Sequence, residues 1–226
     1  MREIILDTET TGLSVKDGDR IIEVGCVELF NYIPTGKSLQ FYCSTQKKIN
    51  TTATNVHGLT NEFLDKHQSF EQQHQKLLDF IKDDTLVIHN AGFDIGFINH
   101  ELKLLGREPL KNKSIDTVLL ARKKLNTRIA NLDYLCRRFS IDLSSRTLHG
   151  ALLDCNLLAE VYIELMGGKQ TTMQLSRQSK NTEAAKGLRS LRNTLIKKIE
   201  ISEEEIKKHK SFVKKIKNSM WDKLDY

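Results

Sequence analysis

Two carboxylates two residues apart, Asp7 and Glu9, are the first residues in the chain whose spacing could do chemistry. They follow an apolar run, Ile4-Ile5-Leu6, that reads as a buried strand. Residues i and i+2 of a strand point to the same face, so the two acids stand side by side about 7 Å apart. Two anions on one face at a sheet end repel each other unless positive charge lies between them. A pair of divalent cations, about 4 Å apart in two-metal sites, would supply that charge. Gly12, just beyond, is expected to end the strand and let the chain turn. On its own an Asp-x-Glu pair is an ordinary solvated strand edge. Here the flanking sequence is apolar, and further acids recur at matching places downstream.

The first such place follows Leu86-Val87-Ile88, a short buried strand. His89-Asn90-Ala91-Gly92-Phe93-Asp94 comes next and opens a largely buried helix over 93–105. Asp94 therefore lies where strand gives way to helix, a position where Asp also serves simply as favourable charge at a helix N-terminus. The second place is Thr147-Leu148-His149-Gly150-Ala151-Leu152-Leu153-Asp154. Leu153, Leu157, Val161 and Leu165 run down one side of a helix over 150–165. Asp154 is early in that helix and His149 sits just before it. Their plainer uses are a first-turn carboxylate and a surface or capping histidine. A histidine's ordinary pKa, near neutrality, also suits it to accept a proton from water.

The remaining elements must position these groups. Residues 21–30 read as a second strand, 31–36 as a turn, and 37–44 as a third strand hairpinned to the second. Residues 45–59 show no periodicity, and Thr60 can cap a short helix. Phe70, His74, Leu77, Leu78 and Ile81 predict an amphipathic helix over 70–82. A short strand at 114–117 runs into a helix at 117–125, and Asn131 caps a helix faced by Leu132, Leu135, Cys136 and Phe139. Three early strands followed by two strands each introduced by a helix indicate an α/β domain.

Gly167-Gly168 stops the last helix, which sets the first domain at 1–168. A polar linker over 169–185 and a helical tail over 186–226 follow. The tail carries Leu188, Leu191, Leu195 and Ile199 on one helix. A second begins at a capping box of Ser202 and Glu205. Two such helices bury little apolar surface alone, so they pack loosely on each other or fold on a partner, with Trp221 as a candidate anchor.

The net charge of +6 is unevenly spread. Residues 176–226 hold 14 Lys/Arg against 7 Asp/Glu, while residues 1–175 hold 21 against 22. A nearly neutral first domain would bind nucleic acid weakly and profit from a tether to a partner that holds it. The four cysteines are scattered, as expected for reduced, mostly buried thiols. No apolar run approaches the ~18 residues of a membrane helix, and no signal-peptide pattern opens the chain, so a cytoplasmic protein is expected.

Taken together, Asp7-Thr8-Glu9-Thr10-Thr11-Gly12, His89 through Phe97 and His149 through Asp154 resemble the three motifs of the DEDD superfamily of 3′→5′ exonucleases, in the subclass with a histidine. Ile21-Ile22-Glu23-Val24-Gly25, Val56-His57-Gly58-Leu59, Ala121-Arg122-Lys123 and Arg146-Thr147-Leu148 are similar to the proofreading subunits of bacterial replicative polymerases in particular. The resemblance spans residues 1–168 and, more loosely, the linker and tail. It implies an RNase H-like fold, a mixed five-stranded sheet flanked by helices. It implies two Mg²⁺, with Mn²⁺ able to substitute, held by Asp7, Glu9 and Asp154 with Asp94 in support. His149 would take the proton of the attacking water, and the products would be nucleoside 5′-monophosphates.

His57 matches a position that contacts the terminal nucleotide. Thr52 stands where an acidic residue contacting the 3′ end is usual, so that contact is expected to differ. Leu13 is either a wedge between the last two bases or a core residue. Gln170-Thr171-Thr172-Met173-Gln174-Leu175 resembles a sliding-clamp-binding peptide, with Gln170, Met173 and Leu175 as its contacts and Leu175 a weaker end than Phe. By the same resemblance the tail binds the polymerase's catalytic subunit, and the domain could carry a small accessory subunit. An RNA-trimming exonuclease with the same motifs, or a polymerase–clamp scaffold with incidental catalysis, are the alternatives.

Overall fold

β1 (Arg2–Thr10) lies at the middle of a mixed five-stranded sheet. Its partners are β2 (Ile21–Phe30), β3 (Ile33–Tyr42), β4 (Thr85–Ile88) and β5 (Ser114–Asp116), in the spatial order β3-β2-β1-β4-β5. β1–β2 and β2–β3 are antiparallel hairpin neighbours. β1–β4 and β4–β5 are parallel, each pair joined through helices. This computed structural model describes residues 1–144, 146–168, 202–213 and 215, and the chain forms two units, Met1–Met173 and Gln174–Tyr226.

The apolar run of β1 is central because both its faces are covered. Ile4 and Leu6 pack under α3 (Phe70–Ile81) and α4 (Ala91–Leu104). Ile5 points the other way, under α5 (Thr117–Leu125), α6 (Leu132–Arg138) and α7 (Ala151–Met166). All three side chains are fully buried, each contributing about 2 kcal/mol of transfer free energy. The period of two then decides the chemistry at the strand's end. Asp7 and Glu9 share the α7 face with Ile5, while Thr8 turns toward α4.

Helix starts follow the polar signals in the sequence. Thr60 accepts a hydrogen bond from Phe63 N to open α2 (Asn61–Leu64), and Asn131 accepts one of 2.8 Å from Tyr134 N to open α6. Two details depart from the expectations and a third adds to them. β3 begins at Ile33, because the turn is only Asn31-Tyr32, both with positive φ, the two-residue turn that suits a twisted hairpin. Residues 51–57 form α1 despite their lack of apolar periodicity. The Asn50 side chain caps its start, and Gly58 in the left-handed region ends it. Gly12 lies in the expected bend just past β1, and it also serves space. A Cβ there would lie 2.4 Å from the Asp19 carboxylate, which accepts hydrogen bonds from Ser14 N and Thr11 Oγ1.

In the second unit the helix Glu203–Val213 starts at the expected capping box, with Ser202 N donating to Glu205 Oε2 at 3.1 Å. The linker, the helix expected over 186–199 and Trp221 lie outside the described residues. All four thiols are buried and unpaired. No helix among the described residues is long and apolar enough to cross a membrane.

Candidate active site

The three sequence motifs meet at the C-terminal end of β1. Asp7 and Glu9 come from the strand, Asp94 from the first turn of α4 and Asp154 from the first turn of α7. Asp94 is tied to β1, its Oδ1 accepting from Thr8 N at 3.0 Å and Thr8 Oγ1 at 2.7 Å. Glu9, His149 and Asp154 each offer a ligand atom, and these atoms lie within 4.8 Å of one another. His149 is at the exposed lip, its Nδ1 3.2 Å from Asp154 Oδ2 and its backbone N–H donating to Val56 O at the end of α1.

Two residues of β2 let α7 come this close. Gly25 is paired with Asp7, and a Cβ on it would lie 2.4 Å from the carbonyl carbon of Ala151. Glu23, paired with Glu9, accepts from the backbone N–H groups of Ala151 and Leu152. The start of α7, and Asp154 with it, is thereby fixed against the sheet.

The charges do not balance internally. Burial, and then the negative charge of Asp94, Glu9, Asp154 and Glu23, pushes the Asp7 carboxyl well above its usual range. Burial and the neighbouring Asp154 and Glu23 raise Glu9 to about 8. Burial raises Asp94 to about 7 against the opposing hydrogen bonds from Thr8. Asp154 alone moves down: burial would raise it, but hydrogen bonds from Arg146 and His149 outweigh that. A cluster of hard oxygen donors that cannot all ionise without added positive charge fits a divalent cation.

A cleft opens on each side of the cluster. One, of about 370 Å³, is walled by Leu13, Thr52, Val56, His57 and Phe93 beside Glu9. Leu13 is 86% exposed, which removes core packing as its role. Thr52 is exposed in the first turn of α1. His57 is buried, which lowers its pKa. Its Nδ1 accepts from Leu59 N, and the Thr10 backbone stands against the ring. The other cleft, of about 400 Å³, is walled by His89, Asn131, Asp133, Arg146 and His149 beside Asp7 and Asp154. Gln170, Met173 and Leu175 lie outside the described residues.

Sequence reasoning assigned no role to Arg146, Asp133, His89, Glu23 or Gly25. Glu23, Gly25, His89 and Arg146 do fall within the stretches that carry the family resemblance, whereas Asp133 left no signal in the sequence.

The exonuclease family model matches residues 4–162. DNA polymerase III subunit epsilon of Rickettsia conorii (strain ATCC VR-613 / Malish 7) is 43% identical over 222 residues, covering 96% of each chain. DNA polymerase III subunit epsilon of Escherichia coli (strain K12) is 42% identical over 190 residues, covering 80% of this chain and 78% of that one. Among solved structures, the nuclease domain of 3′hExo, a DEDDh family member, bound to rAMP, superposes with a TM-score of 0.65 at 18% identity. It covers 73% of this chain and 91% of that one, and it shows the shared RNase H-like fold. The chain belongs to the exonuclease family and, within it, to the DNA polymerase III epsilon subunits.

Proposed function

We propose that this protein is the proofreading 3′→5′ exonuclease of a replicative DNA polymerase, releasing the terminal nucleotide of a primer as its 5′-monophosphate. The observation that carries it is the gathering of Glu9, His149 and Asp154, whose ligand atoms lie within 4.8 Å of one another, with the buried carboxylates of Asp7 and Asp94 acting on each other beside them, between an apolar-walled cleft at Glu9 and a charged cleft at Asp7 and Asp154. Two Mg²⁺ or Mn²⁺ ions held by Asp7, Glu9 and Asp154, with Asp94 in support, would supply the Lewis acidity that activates water and neutralises phosphoryl charge.

The chain's own residues do the rest. His149, exposed at the lip, accepts the proton of the attacking water at a ring nitrogen. Thr8 holds Asp94, and Glu23 holds the α7 terminus, so the carboxylates are pre-positioned. Leu13, Val56 and Phe93 offer an apolar wall for the terminal base and sugar, with His57 lining the same cleft near the 3′ end. A mispaired terminus frays more readily and so reaches this cleft more often than a paired one.

The near-neutral charge of residues 1–175 accords with DNA being held by other subunits. The tail over 186–226 serves the polymerase's catalytic subunit, residues 170–175 serve the sliding clamp, and a small accessory subunit could sit on the domain, all in the cytoplasm. The test is digestion of a 3′-mismatched and a matched primer–template by the full chain, with Mg²⁺ or EDTA, beside Asp7→Ala. Metal-dependent removal of the mismatched nucleotide ahead of the matched one, absent in the variant, is the expected result. Equal rates on both ends would overturn proofreading, and no hydrolysis of any DNA would overturn the exonuclease.

A further inference from the structure

Arg146 is buried in the site, its side chain only 7% exposed, and no step above uses it. Its Nε donates to Asp154 Oδ1 and its Nη2 to Asp154 Oδ2, both at 2.7 Å, so the guanidinium fork takes both oxygens of one carboxylate. Its Nη1 pairs with Asp133 of α6, and Nη2 lies 3.0 Å from His149 Nδ1. One cation thus touches a proposed metal ligand, the proposed base and a further acid outside the cluster. A divalent cation drawing on the same Asp154 oxygens would stand close to the guanidinium, and like charges at that range repel.

We propose that Arg146 is a built-in counter-ion that occupies Asp154 until a divalent cation arrives, and is then handed over to Asp133, so that it sets how tightly the site takes its metal. This rests on the assignment of Asp154 as a metal ligand in the exonuclease. In the metal-free protein Arg146 neutralises the carboxylate and fixes its orientation. Binding of the cation must first weaken that fork, and its affinity is lowered by the strength of the contact that is lost. Asp133 keeps the displaced guanidinium paired and beside His149, so the arginine is a positioning residue for both groups.

The sign of the effect on metal binding separates this role from a merely structural one. Mn²⁺ is titrated calorimetrically into the full-length wild type, Arg146→Gln and Arg146→Lys, with primer digestion measured in parallel. Arg146→Gln is expected to bind Mn²⁺ roughly tenfold more tightly, because its Asp154 starts uncompensated. Arg146→Lys, a single-point donor, should tighten binding by about threefold. If the glutamine variant fails to fold, the lysine variant carries the test alone. Unchanged or weaker Mn²⁺ binding in the folded variants overturns the counter-ion role and leaves the exonuclease standing. Tighter binding without hydrolysis of DNA by the wild type overturns the exonuclease and leaves the counter-ion role standing.

Discussion

The two clefts beside the carboxylates are close in size, about 370 and 400 Å³, and opposite in character. One is faced by Leu13, Val56 and Phe93, and the acid beside it, Glu9, is driven up to about 8 by burial and by the charge of Asp154 and Glu23. The other is faced by Arg146, Asp133, His89 and Asn131, and the acid beside it, Asp154, is held below its ordinary range. Two carboxylates of one cluster are therefore driven apart, Glu9 upward by burial and the charge of Asp154 and Glu23, Asp154 downward by the hydrogen bonds from Arg146 and His149. An apolar wall with a histidine beside it suits a base and sugar. A wall of paired charges suits ions and the moving proton. Recognition and chemistry are divided between the two sides, so substitutions on each should move different kinetic constants.

The largest effect belongs to the charged side. Asp154→Asn should lower kcat/KM for primer digestion by about 10³-fold or more, since it removes one of the anionic ligands. His149→Gln should lower kcat by about 10²-fold with KM little changed, the usual weight of a general base. Across the cluster, Leu13→Ala should raise KM roughly fivefold with kcat nearly constant, the loss of about 1 kcal/mol of apolar contact. If Leu13→Ala instead lowered kcat as His149→Gln does, the division between the clefts would fail.

The smallest effect is on stability. The folded protein binds Glu9 and Asp94 protons more tightly than the unfolded chain, with Glu9 raised from 4.5 to about 8 and Asp94 from 3.8 to about 7. Metal-free stability should therefore fall as pH rises through that window, and the melting temperature should drop by roughly 5 °C between pH 6 and pH 8. Saturating Mg²⁺ should flatten this slope, because the cation binds only the ionised, folded cluster. A metal-free melting temperature that rises over this range would contradict the crowding of the acids.

Much of this arrangement is legible in the sequence, for one reason: buried apolar runs and polar caps leave strong marks. Ile4 to Leu6, Leu86 to Ile88, Asn131 and the carboxylate positions are all visible that way. β3 is less so, because residues 33–38 are exposed on the sheet edge and carry no alternation to mark the strand's start. α1 is invisible to periodicity because it buries only His57, and its caps, Asn50 and Gly58, were its only signal. Arg146 is harder still. Nothing about an arginine in a polar loop tells that α6 and α7 will close on it from two sides, since that follows from packing between distant segments.

The division between the clefts is tested most directly by a crystal structure of the full chain with Mn²⁺ and thymidine 5′-monophosphate, located by anomalous scattering. Mn²⁺ is expected among Asp7, Glu9 and Asp154, with the base against Leu13 and Phe93 and the sugar near His57. Metal bound elsewhere, or the base seated among Asn131, Asp133 and Arg146, would contradict that division.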